Sequence, residues 1–330
     1  MKKRIPTMPA FVFGLVFSSV SALAQAGPDV TFTMEFDNYL FYVDDTGDST
    51  KNATIQSRMP ALPADFIFAF KKEVIIADLV RIGESRVTGT YLSQGIVVAA
   101  SSAMQPVPGR PIADFPRNRM HQFVIEVLTP EGAQVGALFG VQMGAGGPPP
   151  GVPRGAGIWA ITGGSGAYVG VHGQATNVQQ TNARLTSFRE DPAFRRVNGG
   201  GEQRLEVHLT GLVVPEVTDA YHSDFTRVSA ERPARANETL ILAVRAAWPA
   251  SPYLEAGKTF SENPLQRVAI PIMATVGETA AEIVNQVGWP GTRDRYRLDV
   301  RVPGGIAPGV ADLKVSGAYI PGAVFRIPMQ

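Results

Sequence analysis

Polar and apolar residues alternate along most of this chain. Thr31 to Phe36 and Arg204 to Thr210 change character at nearly every position, the spacing of a strand with one buried face. Phe66 to Phe70, Gly95 to Ala100 and Phe123 to Leu128 are apolar at both parities and predict central strands, or strands packed on two sides. Turn-forming clusters separate these runs: Asp44 to Asp48, Thr129 to Gly132, and Gly144 to Gly157 with its Pro148-Pro149-Pro150. The last is too rich in Gly and Pro for a strand and predicts a loop. A single short helix is expected, Glu278 to Asn285, and no internal repeat occurs at a fixed period. The alternation gives way to the polar stretch Asp219 to Arg235, so a boundary between two all-β units is expected between Val217 and Asn237.

Composition agrees with that picture and narrows the chemistry. The chain has 330 residues, enough for two domains with cores of their own, and its 34 Gly and 26 Pro are too many for a helix bundle. Lys2, Lys3 and Arg4, the apolar run Ala10 to Leu23 and the triplet Ala24-Gln25-Ala26 have the layout of a secretory signal peptide over residues 1–26. A membrane anchor needs roughly 18 continuous apolar residues, more than this run or any later segment supplies. Removing residues 1–26 takes away three basic residues and no acidic one. The remaining 27 basic against 29 acidic residues would not attract a phosphate backbone. The expectation is an exported periplasmic or extracellular protein with no membrane span and no nucleic-acid partner. With no Cys, disulfides, thiol nucleophiles and Cys-ligated metals are excluded.

The most specific local sequence is Trp159-Ala160-Ile161-Thr162-Gly163-Gly164-Ser165-Gly166-Ala167-Tyr168-Val169-Gly170-Val171-His172-Gly173. It reads as a strand, a glycine-dense turn with positive φ, and a second strand in which Gly170 and Gly173 permit a bulge or close packing. Val169 stands where a dinucleotide-binding loop needs its third Gly, and Ala167 where a nucleophile elbow needs its last. The stretch resembles the hairpin of the allene oxide cyclase-like and dirigent-like β-barrel families. Phe41 to Asp44, Ala64 to Phe68 and Arg86 to Tyr91 are similar to those families' earlier strands, so the resemblance spans about residues 30–215. It implies an eight-stranded, mostly antiparallel barrel (27–218) around an apolar lumen holding one small hydrophobic or phenolic ligand, without a cofactor. It carries over no catalytic residue.

A second resemblance follows the polar interval at 219–236, which reads as a linker. Pro271 to Gly277, Gly288 to Gly291, Tyr296 to Pro303 and Pro308 to Val315 resemble the Ig-like, TIG-type module of secreted bacterial proteins. Arg297-Leu298-Asp299 stands where that family usually has Gln-x-Asn, and both versions alternate along a strand. The implied architecture for 237–330 is a β-sandwich.

Each candidate site residue has two readings. Tyr42, Tyr91, Trp159 and Tyr168 offer stacking surface and polar tips to a ligand, yet aromatics in strands more often fill cores. Glu126 shares a face with Val124 and Leu128, where a carboxylate could act as acid or base. In the commoner alternative, Phe123, Ile125 and Val127 form the core face and Glu126 points outward. Glu35 alternates with Thr31 and Thr33 and suits an outer face. His121, His172, His208 and His222 show no metal-ligand spacing, so no metal is expected. The arginines at 184, 189, 195, 196 and 204, interleaved with Glu190, Asp191 and Glu202, suit a solvated loop. Asn52-Ala53-Thr54 and Asn237-Glu238-Thr239 fit the N-glycosylation pattern.

Two functions are compatible with these readings. One is a ligand-binding barrel acting on a bound molecule by confinement as a cofactor-free isomerase or cyclase, or guiding a coupling reaction. The other is a non-enzymatic extracellular or envelope protein in which both β modules serve adhesion or assembly; with either, the barrel's outer face could pair copies into a homo-oligomer. Convergent polar groups in the lumen would favour the first, and a lumen plugged by aliphatic side chains the second.

Overall fold

Period-two alternation becomes strand almost wherever it occurs. The computed structural model describes residues 29–43, 69–99, 119–144, 157–181, 184–246, 248–255 and 257–330. The leader segment 1–26, Asp44 to Asp48, Asn52, Ala64 to Phe68 and most of the 144–157 loop lie outside them.

The first unit contains β1 (Val30–Val43), β2 (Ala69–Ile82), β3 (Ser85–Ala99), β4 (Arg119–Leu128), β5 (Gln134–Gly144), β6 (Gly157–Gly166), β7 (His172–Gln180), β8 (Arg184–Ser187) and β9 (Gly201–Thr210). β1 to β7 pair antiparallel in sequence order, β7 pairs with β9, and β9 returns to β1. This closes an eight-stranded barrel and leaves it no open edge. β8 lies outside the ring, parallel to Leu40–Val43 of β1.

Alternate residues fill the lumen, as the pleat requires. Met34, Phe36, Ile75, Leu79, Tyr91, Ile125, Leu138, Leu205 and Val207 are all buried there, so much of the barrel is a packed core. The two ends differ. At one, β2–β3 and β4–β5 are joined by tight turns at Gly83 and Thr129–Ala133, and β6 passes into β7 through Ala167–Val171. At the other, the strands end at Val43, Ala69, Ala99, Arg119, Gly144 and Gly157.

The second unit is sandwich-like. Its strands are β10 (Glu216–Tyr221), β11 (Thr239–Arg245), β12 (Ala250–Ser251), β13 (Arg267–Val268), β14 (Ile272–Val276), β15 (Thr279–Gly288), β16 (Arg295–Arg301), β17 (Gly309–Gly317), β18 (Ile320–Pro321) and β19 (Phe325–Met329). They follow the order β10-β11-β16-β15-β14-β17-β18, with β19 also on β17, and the sheet curls at β15. Leu242, Tyr296 and Leu298 from one limb and Val276, Leu313 and Ile327 from the other belong to the buried core.

Two sequence expectations need correction. The short helix expected over Glu278 to Asn285 is part of β15. Ala280 and Ala281 pair with β14, Glu282, Ile283 and Asn285 pair with β16, and this two-sided pairing outweighs a weak helical propensity. The change of sheet falls between Thr210 and Glu216, because β10 pairs with β11. The polar stretch 219–236 therefore lies within the second unit. It is knotted by hydrogen bonds from Thr226 and Arg232 to Asp224, and Ala234 pairs with the C-terminal strand.

Candidate functional site

One row of cross-strand neighbours inside the barrel is unlike the others. Glu73 of β2 faces Gly95 of β3, which faces His121 of β4, then Gln142 of β5 and Trp159 of β6. Ser93 and Tyr91, further along β3, point to the same side. All six side-chain-bearing residues of the set are buried. Each polar member continues an apolar parity: Glu73 precedes Ile75 and Ala77, and His121 precedes Phe123 and Ile125.

Hydrogen bonds connect the set. Trp159 Nε1 donates to the Tyr91 hydroxyl at 3.0 Å, and that hydroxyl donates to Gln142 Oε1 at 2.7 Å. The order is forced, because an indole N–H can only donate and leaves the phenol's one proton for the amide oxygen. Ser93 Oγ lies 2.9 Å from His121 Nδ1 and 3.4 Å from Gln142 Oε1, so its proton is best placed on the nearer imidazole nitrogen. The imidazole then carries its own proton on Nε2, which is 3.2 Å from Glu73 Oε2. That approach is a close polar contact rather than an aligned hydrogen bond.

Gly95 makes the Glu73–His121 contact possible. A Cβ there would lie 2.5 Å from His121 Cδ2 and 2.0 Å from the Met120 carbonyl oxygen. With no side chain between them, the carboxylate and the imidazole meet across the intervening strand. Burial pushes the Tyr91 phenol up to about 12, against partial relief from Trp159 and Ser93, so this hydroxyl keeps its proton and stays a donor.

The row borders a cavity of about 580 Å³ at the end of the barrel away from the tight turns. Glu73, His121 and Gln142 line its inner side, and Lys72, Val74, Gln94, Ile96, Met120, Gln122, Val141, Met143 and Phe188 form its outer rim, exposed except for the half-buried Val74. The arrangement offers a buried carboxylate–imidazole pair and the buried Gln142 amide on its inner side, with Lys72, Gln94 and Gln122 among apolar residues at the rim. Such a site suits a molecule with an apolar body and a polar head. Among the described residues no group of His, Asp and Glu is placed to hold a metal ion, and no helix is long and apolar enough to cross a membrane.

The structure separates the five residues singled out in the sequence. Tyr91 and Trp159 belong to the buried row. Tyr42 pairs with Val74, so it faces away from Glu73 and Ile75, outside the lumen and beside Thr186 of β8. Burial, and next the charge of Glu190, raise its pKa. Tyr168 is at the opposite end of the barrel, where its hydroxyl donates to the Ala318 carbonyl of the second unit at 3.0 Å. Glu126 is on the outer face and accepts a hydrogen bond from Gln134 at 3.1 Å, while Phe123, Ile125 and Val127 point inward. The lumen carboxylate is thus Glu73 rather than Glu126. Glu35 pairs with Arg81 at 3.1 Å on the outer surface.

Sequence reasoning missed Glu73, Ser93 and Gln142, and passed over His121 for lack of metal spacing. The available signal was parity, since each is a polar residue on the apolar phase near a strand end. No family model, curated protein or solved structure matches the chain.

Proposed function

We propose that the barrel binds a small, mainly apolar molecule carrying one polar group, holding it in one orientation in the 580 Å³ cavity. The observation that carries this reading is the convergence of the buried Glu73, His121 and Gln142 on one cavity, whose outer rim includes Ile96, Met120, Met143 and Phe188. Polar groups placed in an apolar surround fix orientation, while apolar contact supplies most of the affinity. The barrel hairpin and the leader-like segment support an exported protein similar to the allene oxide cyclase-like and dirigent-like barrels, acting by confinement.

The test uses 1-aminoanthracene, an apolar fluorophore with one amine, titrated into the full chain. Saturable fluorescence enhancement is expected, with a rise in Tm, because a ligand that binds only the folded state stabilises it. Met143→Arg places a charge at a rim position that is 60 % exposed, so it should leave the fold intact and weaken binding at least fivefold. Equal binding by wild type and Met143→Arg would remove the cavity from consideration.

A second reading, assembly of several copies, draws on the exposed face that begins at the cavity rim. Leu92, Ile96, Met120, Val124, Phe139, Met143 and Ile158 are all exposed apolar residues on the outer face of β3 to β6.

A further inference from the structure

We propose that the Glu73–His121 pair moves a proton on the bound molecule, making the barrel an isomerase of small apolar carbonyl compounds that carry an acidic C–H bond. This rests on the binding reading above and adds the chemistry.

The direction of the hydrogen-bond chain supports it. Trp159 donates to Tyr91, and Tyr91 donates to the Gln142 oxygen. Tyr91 engages the Gln142 oxygen, and the amide's N–H groups are donors for a ligand in the cavity that Gln142 lines. At the other end of the row, Ser93 fixes the imidazole through Nδ1, and His121 presents Nε2 to the Glu73 carboxylate. Ser93 itself is not in the cavity lining, so it acts as a positioning residue for His121. On its buried inner side the cavity therefore meets a carboxylate proton acceptor backed by an imidazole, and the neutral Gln142 amide as a donor. Enolisation needs this pair of roles: a base at the carbon and a donor at the oxygen where charge develops.

The step balances without a co-reactant. Glu73 accepts the proton from the carbon next to the carbonyl. The C–H electron pair becomes a carbon–carbon double bond, and the carbonyl π pair moves to oxygen, where the Gln142 amide donates. In a substrate with a β,γ carbon–carbon double bond the intermediate is a dienolate, and return of the proton from Glu73 to its γ-carbon re-forms the carbonyl and gives the conjugated isomer.

The test probe is 2-tetralone, an apolar bicyclic ketone with acidic C–H bonds, incubated with the full chain in D2O and followed by proton NMR. Wild type should accelerate exchange at the carbons next to the carbonyl at least tenfold over matched buffer. Glu73→Gln should lose at least tenfold of that acceleration while still binding the probe in a thermal-shift titration. Ser93→Ala should lose part of the acceleration without loss of probe affinity. Gln142→Met, which removes the amide at similar volume, provides the same test if Glu73→Gln does not fold, and is expected to slow exchange at least fivefold. Saturable binding of 2-tetralone with no exchange above buffer, or exchange at the wild-type rate in both Glu73→Gln and Gln142→Met, would overturn proton transfer and leave the binding reading standing. Absence of binding by both 2-tetralone and 1-aminoanthracene would overturn the two together.

Discussion

Tyr91 shows how one side chain serves both the core and the site. Its ring packs against Phe36, Tyr39 and Phe123, and its hydroxyl links Trp159 to Gln142. Tyr91→Phe keeps the ring but strands an indole N–H and an amide oxygen in the lumen, so a loss of about 1–3 kcal/mol at pH 7 is expected. The same hydroxyl sets the alkaline limb. Burial raises its pKa from the usual 10.0 to about 12, so folding favours the protonated form. That contribution is complete below pH 10 and is lost as pH rises through about 12, amounting to roughly 2–3 kcal/mol for this group. Tyr168 and Tyr296 are also raised by burial and act with the same sign. Denaturant melts from pH 8 to 12 should therefore show falling stability above pH 10, with a shallower fall in Tyr91→Phe. Identical alkaline slopes would refute this assignment. Tyr91 and Trp159 were visible in the sequence because large aromatics in strands attract notice. Glu73 and His121 were not, since only the strand phase shows that they point inward, and their contact depends on Gly95 in a strand between them.

Among the elements, the segment following β8 shows where local reading fails. Its arginines look like a solvated loop. Yet a 3-10 turn (Pro192–Phe194) and a single-turn helix α1 (Arg195–Asn198) bring Arg195 and Arg196 onto Asp78 of β2, and Arg195 is buried. Asn38, at a bulge of β1 with φ of 53°, donates to the same carboxylate at 2.9 Å. Three elements thus meet on one side chain, and no feature within a few residues of Arg195 announces it. Burial alone would raise the Asp78 pKa, but the hydrogen bonds from Arg196, Asn38 and Arg195 outweigh it and the net shift is downward. Folding therefore favours the ionised form. Its contribution is present above the unfolded value near 3.8 and is lost as pH falls through the lower folded value. Asp78→Asn should melt at lower temperature than wild type at pH 7. The difference should shrink as pH drops below about 4, where the wild-type carboxylate begins to protonate in the unfolded chain. A constant difference between pH 7 and pH 2 would contradict this linkage. The same contrast separates what was legible elsewhere. Strand phase in β1 and β9 needs only neighbouring residues, whereas β15 is decided by partners from β14 and β16.

Over the whole molecule, charge and apolar surface are sorted to opposite sides of the barrel. The outer faces of β1, β2 and β9 carry the ion pairs of Glu35 with Arg81 and Arg204, of Asp78 with Arg195 and Arg196, and of Glu206 with His208. On β3 to β6 the outward rows run Leu92, Val124, Phe139 and Ile96, Met120, Met143, Ile158, with Gln94, Gln122, Val141 and Ala160 between them. Met120 is 70 % exposed and Ile158 59 %, and no charged residue interrupts these rows. A contiguous apolar patch of this kind is unusual on a monomer and marks an interaction surface. Because these rows are uncharged, a second copy presenting the same rows brings no like charges directly together. Sedimentation velocity of the full chain at tens of micromolar should accordingly show species larger than the monomer. Met120→Lys combined with Ile158→Lys should shift the distribution to monomer without lowering Tm, since both positions are solvated and their charges would face each other across any self-paired interface. A wild-type protein that sediments as a monomer throughout this range would rule out self-association through this face, and the assembly reading with it. A doubly charged variant that remains associated would instead place the contact on another surface.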